Sequence, residues 1–260
     1  MTDNTDKLAT LLSQVTSRET SPEFHTRLMK KIHQAESLAT LGTTLGAVYL
    51  EPKKTSEPRM AQSGEALFAG DRILTRKTGK TYILFKDGTQ LWLNQESTLV
   101  IGDTPRQHQL PLGELLAFVT RAKTRKDRFI LKTPSALVEV LGTEFDIAIT
   151  TDQSSLLTVL RGRVQFQNDK GSLRLKSKYQ STAKPSQKPS RPQKVKTLEK
   201  IQWTQDLALQ AAKEENNTLP ETLTQPERFN NTFSPGKTLL ILAFTGILGY
   251  LLGYLYGMWQ

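Results

Sequence analysis

Short stretches rich in β-forming residues, separated by turn residues, fill the sequence from about residue 46 to about residue 180. Branched and aromatic residues are frequent in each stretch, and Gly, Pro, Asp, Asn or Ser stand between one stretch and the next, which is the pattern of an all-β domain. The stretches predicted as strands are 47–50, 81–85, 90–93, 98–101, 114–119, 128–132, 136–140, 144–149, 156–160, 163–167 and 172–176. This pattern predicts a mainly β fold, either solenoid-like or sandwich-like.

Turn residues mark the places where the predicted strands reverse. Asp87 and Gly88 stand between two strands and predict a tight hairpin, because glycine tolerates a positive φ. Gly70 with Asp71, and Gly162, occupy further positions where a strand must turn. We interpret these residues as devices that shape the backbone rather than as reactive groups.

One predicted strand begins with a kink. Gly142 and Thr143 allow a bulge there, and the strand then alternates. Phe145 begins its buried face, while Glu144 and Asp146 lie on a face predicted to meet solvent. Two carboxylates with this spacing can form a catalytic pair, but an ordinary solvent face has the same spacing.

Six pieces of the β region occur in an order that resembles the FecR family. They are AGDRI at 69–73, FKDGT at 85–89, GEL at 113–115, TPSA at 133–136, VLGTEFD at 140–146 and VLRGRV at 159–164. The motif residues are Gly70, Asp71, Asp87, Gly88, Pro134, Gly142, Thr143, Glu144, Phe145 and Gly162. The resemblance extends over residues 46–179, about half of the chain.

The resemblance implies a β-rich domain used in transmembrane signalling. Members of the family typically combine a cytoplasmic N-terminal region that binds a sigma factor, a membrane helix, and an extracytoplasmic domain that senses an outer-membrane transducer. This sequence differs in three respects. No spanning segment lies between its N-terminal region and its β region, the only predicted span is C-terminal, and residues 181–232 do not resemble the small α/β module that often follows.

Residues 238–259 predict a transmembrane helix, since 22 residues without a charge are long enough to cross the hydrocarbon layer. Arg228 and Lys237 precede this span and only Gln260 follows it, so the distribution of positive charge places the N-terminus in the cytoplasm. We expect a single-pass, tail-anchored protein of the inner membrane whose soluble part is cytoplasmic. A periplasmic location is the alternative.

Glycines recur every fourth residue within the predicted span. Gly249, Gly253 and Gly257 would lie nearly in line on one helical face, where two backbones can approach closely. This spacing predicts an anchor that self-associates and a chain that can form homo-oligomers. Frequent glycine in membrane helices explains the same pattern without any contact.

The N-terminal residues 1–45 predict a helical hairpin. Leu8, Leu11, Leu12 and Val15 follow the spacing of an amphipathic helix, and Ser21 suits the N-cap of a second one. We see no cleaved signal peptide in this region. The predicted domains are therefore 1–45 helical, 46–180 β, 181–237 linker and 238–259 transmembrane.

The formal net charge of +10 is unevenly distributed. Residues 170–200 carry a net charge of +9 and residues 121–132 a net charge of +5, so the rest of the chain is mildly acidic, and residues 181–197 have the Pro, Ser, Gln and Lys composition of an extended linker. Such a basic linker can bind anionic lipid, whereas nucleic acid is a less favoured partner because aromatic residues for base stacking are missing. Residues 198–215 predict a short amphipathic helix lying on a surface.

The sequence gives little support for catalysis. It contains no cysteine and three histidines, and His25 and His33 are too far apart on a helix to share a metal ion. His108 lies in a segment with Pro and Gln, so we expect all three histidines at the solvated surface. We predict no catalytic residue, no metal site and no cofactor.

These observations predict a non-enzymatic, membrane-anchored FecR-like regulator. We expect it to act through contact with a sigma factor or another signalling protein, in the manner of an anti-sigma factor. Two alternatives stay open at this point: a membrane scaffold that self-associates through the glycine-rich anchor, and a nucleic-acid-binding protein that uses the basic linker.

Overall fold

The computed structural model of the chain describes residues 37–197, 202–205 and 207–210, and within them the fold is almost entirely β. Alternation of apolar and polar residues explains the strands, as in β6, where every second residue is buried. The strands are β1 Ala39–Leu45, β2 Val48–Glu51, β3 Arg59–Met60, β4 Ala66–Leu67, β5 Arg72–Thr75, β6 Lys80–Phe85, β7 Gln90–Leu93, β8 Thr98–Ile101, β9 Gln107–Phe118, β10 Phe129–Lys132, β11 Leu137–Val140, β12 Glu144–Ile149, β13 Ser155–Arg161, β14 Arg163–Asn168, β15 Gly171–Lys176, β16 Tyr179–Ala183 and β17 Gln193–Lys194. A 3₁₀ turn at Gln202–Thr204 leads into helical residues 205 and 207–210.

The strands form two sheets that share β9. Sheet A has the order β4-β1-β6-β7-β9-β12-β13-β16-β17 and is antiparallel throughout. Sheet B has the order β3-β2-β5-β8-β9-β10-β11-β14-β15, and its one parallel pair is β9 with β10. The chain therefore passes repeatedly from one sheet to the other.

Strand β9 bends from sheet B into sheet A at one residue. Leu112 still pairs with Thr98 of sheet B, whereas Gly113 already pairs with Ile149 of sheet A. Gly113 has a φ of 94°, which an L side chain rarely adopts, so the bend needs glycine. This single position lets one long strand serve both sheets.

The two sheets pack face to face around one hydrophobic core. Aromatic rings of one sheet contact those of the other. The ring of Phe85 in sheet A lies 4.5 Å from that of His108 in sheet B, and the ring of Phe129 in sheet B lies 6.3 Å from that of Phe145 in sheet A. The arrangement is sandwich-like, and the mainly β prediction is confirmed.

Several predicted strands match the structure and others differ at their ends. Strands β7, β8 and β12 have the predicted bounds, while β9 begins seven residues earlier than predicted, at Gln107 rather than at Glu114. Residues 39–45, which we assigned to the helical region, form β1 instead. Strand β16 runs across the predicted boundary at residue 180, and β17 pairs with it from within the predicted linker.

Residues 1–36 lie outside the part of the chain that the structure describes. The predicted helical hairpin falls within these residues, apart from the last residues of its second helix. The predicted span at 238–259 also lies outside the described part. Among the residues that are described, no helix is long and apolar enough to cross a membrane.

Candidate functional site

Most of the motif residues lie where the chain turns or changes sheet. Gly70 and Asp71 connect β4 of sheet A to β5 of sheet B, and Asp87 and Gly88 form the hairpin between β6 and β7. Gly162 connects β13 of sheet A to β14 of sheet B with a φ of 95°. Their placement agrees with the interpretation that they shape the backbone.

Asp71 fixes the first of these corners from a buried position. Its side chain accepts hydrogen bonds from the backbone N–H of Phe68 at 2.8 Å and of Lys53 at 3.1 Å. The first bond closes the turn before β5, and the second holds the loop that follows β2 against that turn. The carboxylate is therefore occupied by backbone amides.

Asp87 joins its hairpin to the segment before β9. It accepts hydrogen bonds from the backbone N–H of Thr89 at 2.9 Å and from its hydroxyl at 3.1 Å, and forms an ion pair with Arg106 Nε at 2.9 Å. Arg106 in turn donates through Nη2 to the carbonyl of Thr120 at 2.9 Å. One largely buried ion pair thus connects three separate loops.

Pro134 occupies the exposed position of the turn between β10 and β11, beside a buried group of hydroxyls. The hydroxyls of Thr133 and Ser135 each lie 2.7 Å from the hydroxyl of Ser155 in sheet A. Ser135 also donates to the carbonyl of Ala183 at 2.8 Å. This turn of sheet B is therefore tied to two strands of sheet A.

Two of the motif crossings lie against each other. The Thr143 hydroxyl donates to the carbonyl of Arg163 at 2.9 Å, and Thr143 accepts at its own carbonyl from the N–H of Val119 at 3.0 Å. Beside it, a Cβ at Gly142 would lie 2.7 Å from the Cα of Arg121, so only glycine fits. The corners at 141–143 and 161–163 are therefore packed together with the loop after β9.

In β12, the strand that follows this corner, the prediction is confirmed for the buried face and wrong for the face expected to meet solvent. Phe145 is fully buried in the core, as predicted, and Glu144 lies half-buried with its Oε1 3.6 Å from Nη1 of Arg161. Asp146, which we expected to meet solvent, is only 2% exposed. The expectation for Asp146 was wrong because this face of sheet A is covered: its register neighbour Leu116 is only 1% exposed on the same face.

The outer face of sheet A carries an apolar surface that a later segment covers. We call residues 202–205 and 207–210 the cover segment. Trp203, Leu207 and Ala208 of that segment cluster with apolar side chains of five strands, namely Leu45, Tyr82, Trp92, Leu116, Phe118 and Leu160. Lys80 Nζ also donates to the carbonyl of Trp203 at 3.0 Å. Within the short helix predicted at 198–215, the described residues 205 and 207–210 are helical, and they lie on the β domain.

Buried polar atoms lie at this covered face without partners. Trp92 Nε1, Thr158 Oγ1, Gln180 Oε1 and Trp203 Nε1 are buried and make no hydrogen bond within the described residues. A buried polar group without a partner costs about 1–3 kcal/mol. Apolar contact thus holds the cover segment in place, and the polar atoms beneath it reduce the stability of that contact.

The histidine in β9 is buried rather than solvated, so the surface expectation for His108 was wrong. Its ring lies between Phe85 and Phe129, accepts from the N–H of Gly102 at Nδ1, and donates through Nε2 to the carbonyl of Pro105 at 3.1 Å. Burial lowers the pKa of His108 to about 4, and the bond to Pro105 only partly opposes this effect. The imidazole is therefore neutral at physiological pH and serves the core.

Several residues considered in the sequence analysis lie outside the residues that the structure describes. These are the predicted surface histidines His25 and His33, and the anchor glycines Gly249, Gly253 and Gly257. In the described ranges, His, Asp and Glu side chains form no group of three that could hold a metal ion. Sequence reasoning missed the covered face of sheet A, although Trp203 and Leu207 are spaced to share one face of a helix.

Comparison with protein families shows that residues 71–165 match the family described as FecR protein. The chain carries a FecR domain. The match runs from the corner before β5 into β14, and it confirms the resemblance seen in the motifs. It includes most of the motif corners described above, from Asp71 to Gly162.

Two crystal structures are similar to this chain, and each is of a protein named "putative anti-sigma factor" from Parabacteroides distasonis. The structure at 2.50 Å resolution is 22% identical with a TM-score of 0.45, covering 52% of this chain and 64% of that one. The structure at 1.65 Å is 20% identical with a TM-score of 0.43, covering 54% and 64%. This chain spans less than two thirds of the length of either. No curated protein matches the sequence.

Proposed function

We propose that this protein is a non-enzymatic, membrane-anchored regulator that acts by protein–protein contact in sigma-factor signalling. The observation that carries the proposal is the FecR domain at residues 71–165. Its motif carboxylate Asp71 binds backbone amides, and Asp87 binds Thr89 and an arginine, so both are committed to the fold rather than to a substrate.

In this proposal each region has a separate task. The predicted helices that precede β1 bind the sigma factor, and the predicted span at 238–259 holds the chain in the inner membrane. The FecR domain responds to a partner protein. The cover segment lies between the domain and the anchor along the chain, so its contact with sheet A links the two.

The covered face supports a role in protein contact. It already accommodates a helical segment through Trp203 and Leu207, and the indole N–H of Trp92 beneath that segment makes no hydrogen bond within the described residues. A partner helix that offers an acceptor to Trp92 would bind there with an additional hydrogen bond. The proposal therefore places partner binding in competition with the cover segment.

A reporter experiment tests the proposed function. Each sigma factor of the source genome is expressed with a reporter for its own promoter, with and without the full chain. We expect one reporter to change several-fold and to recover when Leu8, Leu11, Leu12 and Val15 of the predicted first helix are replaced by serine. If no reporter responds to the full chain, the proposal is incorrect.

The side of the membrane is tested separately. Because the chain has no cysteine, Ser63→Cys introduces one thiol at an exposed position of the β domain. We expect a membrane-impermeant maleimide to label this thiol only after the cells are permeabilised. Labelling in intact cells would place the FecR domain in the periplasm.

A further inference from the structure

The fold brings separate basic stretches of the sequence together at one corner of the sandwich. Four segments meet there: 119–128 after β9, 141–143 before β12, 161–163 before β14, and 176–178 after β15. The exposed cations of these segments are Arg121, Lys123, Arg125, Lys126, Arg128, Arg161, Arg163, Lys176 and Lys178. We call this set the basic corner.

Hydrogen bonds show that the four segments are neighbours. The N–H of Ala122 donates to the carbonyl of Leu141 at 2.5 Å, which joins the first two segments. The Thr143 hydroxyl donates to the carbonyl of Arg163, which joins the second and third. The N–H of Gly162 donates to the hydroxyl of Ser177 at 2.9 Å, which joins the third and fourth.

The acidic residues near the corner do not neutralise it. Arg128 pairs with Glu139 and Arg161 pairs with Glu144, while Asp127 accepts from the hydroxyl of Thr124 at 2.7 Å. The remaining cations of the corner have no ion-pair partner among the described residues. They form a surface of one charge, which attracts an anionic partner.

A leucine lies exposed in the middle of these cations. Leu141 is 44% exposed, and its carbonyl bonds to the loop that carries Arg121 and Lys123. The four segments contain no aromatic residue on which a nucleic-acid base could stack. Cations around an exposed aliphatic side chain match a bilayer surface instead, where headgroups meet the charges and the leucine enters the hydrocarbon boundary.

The structure also divides the cations of the predicted linker between two ends of the sandwich. The N–H of Val195 donates to the carbonyl of Lys178, which places the neighbouring Lys194 and Lys196 beside the basic corner. Lys184 follows the end of β16 that pairs with the start of β13, at the opposite end. Only part of the linker's charge can therefore face the same surface as the corner.

We propose that the basic corner docks the β domain on a bilayer surface containing anionic lipid. The predicted span at 238–259 would keep the domain near a bilayer, and residues 211–237 would join the two. The proposal goes beyond sigma-factor regulation, because it concerns how the domain is held rather than what it regulates. It assigns lipid contact to a folded surface of the domain in place of an extended linker.

The test uses the full chain with one dye on a new cysteine, Thr124→Cys, in the basic corner. The labelled chain is mixed with vesicles of phosphatidylcholine alone or of equal parts phosphatidylcholine and phosphatidylserine. We expect the dye emission to shift to the blue only with the anionic vesicles. Raising the ionic strength from about 0.1 M to about 1 M shortens the Debye length from about 10 Å to about 3 Å and should remove the shift.

Two charge-matched variants give the control. Replacement of Lys123, Arg125, Lys126 and Arg163 by glutamine should abolish the shift. The same replacement at four exposed lysines outside the corner should preserve it, and these are Lys77, Lys132, Lys184 and Lys188. The dye reports on the corner whether or not residues 238–259 insert, so failure of the anchor and failure of this proposal are distinguishable.

Three results would overturn the proposal. The first is an equal shift with neutral and anionic vesicles, and the second is an equal loss of shift in both charge variants. The third is the absence of a shift with vesicles together with binding of a fluorescent DNA duplex that the corner variant loses. That last result would assign the basic corner to nucleic acid.

Discussion

Replacement of Leu207 by alanine should release the cover segment from sheet A. Leu207 is completely buried against the outer face of the sheet. Truncating a buried leucine to alanine costs about 2–5 kcal/mol, and we expect the lower end because water can enter beside a short surface segment. A helix this short is not stable without packing, so this loss acts directly on the docked state.

Hydrogen exchange measured by mass spectrometry gives the free energy that the docked cover segment loses in Leu207→Ala. A loss of about 2 kcal/mol corresponds to a roughly 30-fold faster exchange of the amides in residues 205–210. The control is Leu209→Ala, two residues further along the same helix, where the side chain is 63% exposed. That change should alter the exchange rate by no more than about twofold, since exposed substitutions stay within about 0.5 kcal/mol.

The effect of Leu207→Ala on hydrogen exchange should be local, because the outer face and the core are separate hydrophobic clusters. Leu207 belongs to the cluster on the outer face and contributes nothing to the core between the sheets. Amides within sheet B should therefore exchange equally in the wild type and in Leu207→Ala. Equal exchange of residues 205–210 in the two leucine variants would refute the docked arrangement.

Three further predictions concern the β domain itself. The free energy of unfolding should fall by about 3 kcal/mol as the pH is lowered from 6.5 to 4, because the neutral His108, whose pKa is about 4 in the folded state, must gain a proton on unfolding. Urea titrations at several pH values should show that His108→Gln removes most of this pH dependence. An unchanged pH dependence in that variant would exclude the histidine as its cause. Asp87→Asn should lower the free energy of unfolding by about 1–3 kcal/mol, since it weakens a largely buried ion pair. Glu144→Gln should lower it by less than about 1 kcal/mol, since the ion pair formed by Glu144 involves an exposed arginine. Equal shifts of the melting temperature in the two variants would contradict this difference. Gly113→Ala should lower the melting temperature more than Gly64→Ala does. Both glycines have a positive φ, but only a Cβ at residue 113 would collide with a serine side chain. Similar melting temperatures for the two variants would show that backbone strain alone determines the loss of stability.

Local patterns predicted the strands whose side chains alternate between core and solvent. The segment QLWL was predicted with its observed bounds as β7, and so was Glu144–Ile149 as β12, because branched and aromatic residues mark their buried positions. The turn at Asp87 and Gly88 was equally visible. In such segments the local preference and the final packing agree.

Strands whose buried positions carry small or polar side chains were not predicted. Strand β16 buries Ser181 and Ala183, and its sequence continues into a segment rich in Pro and Lys, so composition favoured a linker. The first half of β9 places His108 and Leu110 inward between glutamines and before a proline. These strands exist because neighbouring strands supply their hydrogen bonds, and no local pattern reveals that.

The motif residues Gly70, Asp71, Asp87, Gly88 and Gly162 were predicted as turn devices, and the structure places them at turns. Their mutual contacts were beyond local reasoning, since Thr143 meets the carbonyl of Arg163 only after β12, β13 and β14 have assembled. The covered face was missed for a similar reason. Asp146 alternates as a solvent-facing residue should, but its register neighbour Leu116 belongs to the outer-face cluster that the cover segment joins, and no local pattern reveals that this face is covered.

Cross-linking in the native cell tests the central claim most directly. The full chain, carrying an affinity tag, is cross-linked in cells, purified from the membrane fraction and analysed by mass spectrometry. We predict that one sigma factor is enriched and that this enrichment is lost when the apolar residues of the predicted first helix are replaced by serine. Enrichment of no sigma factor, or equal enrichment with the serine variant, would contradict the account.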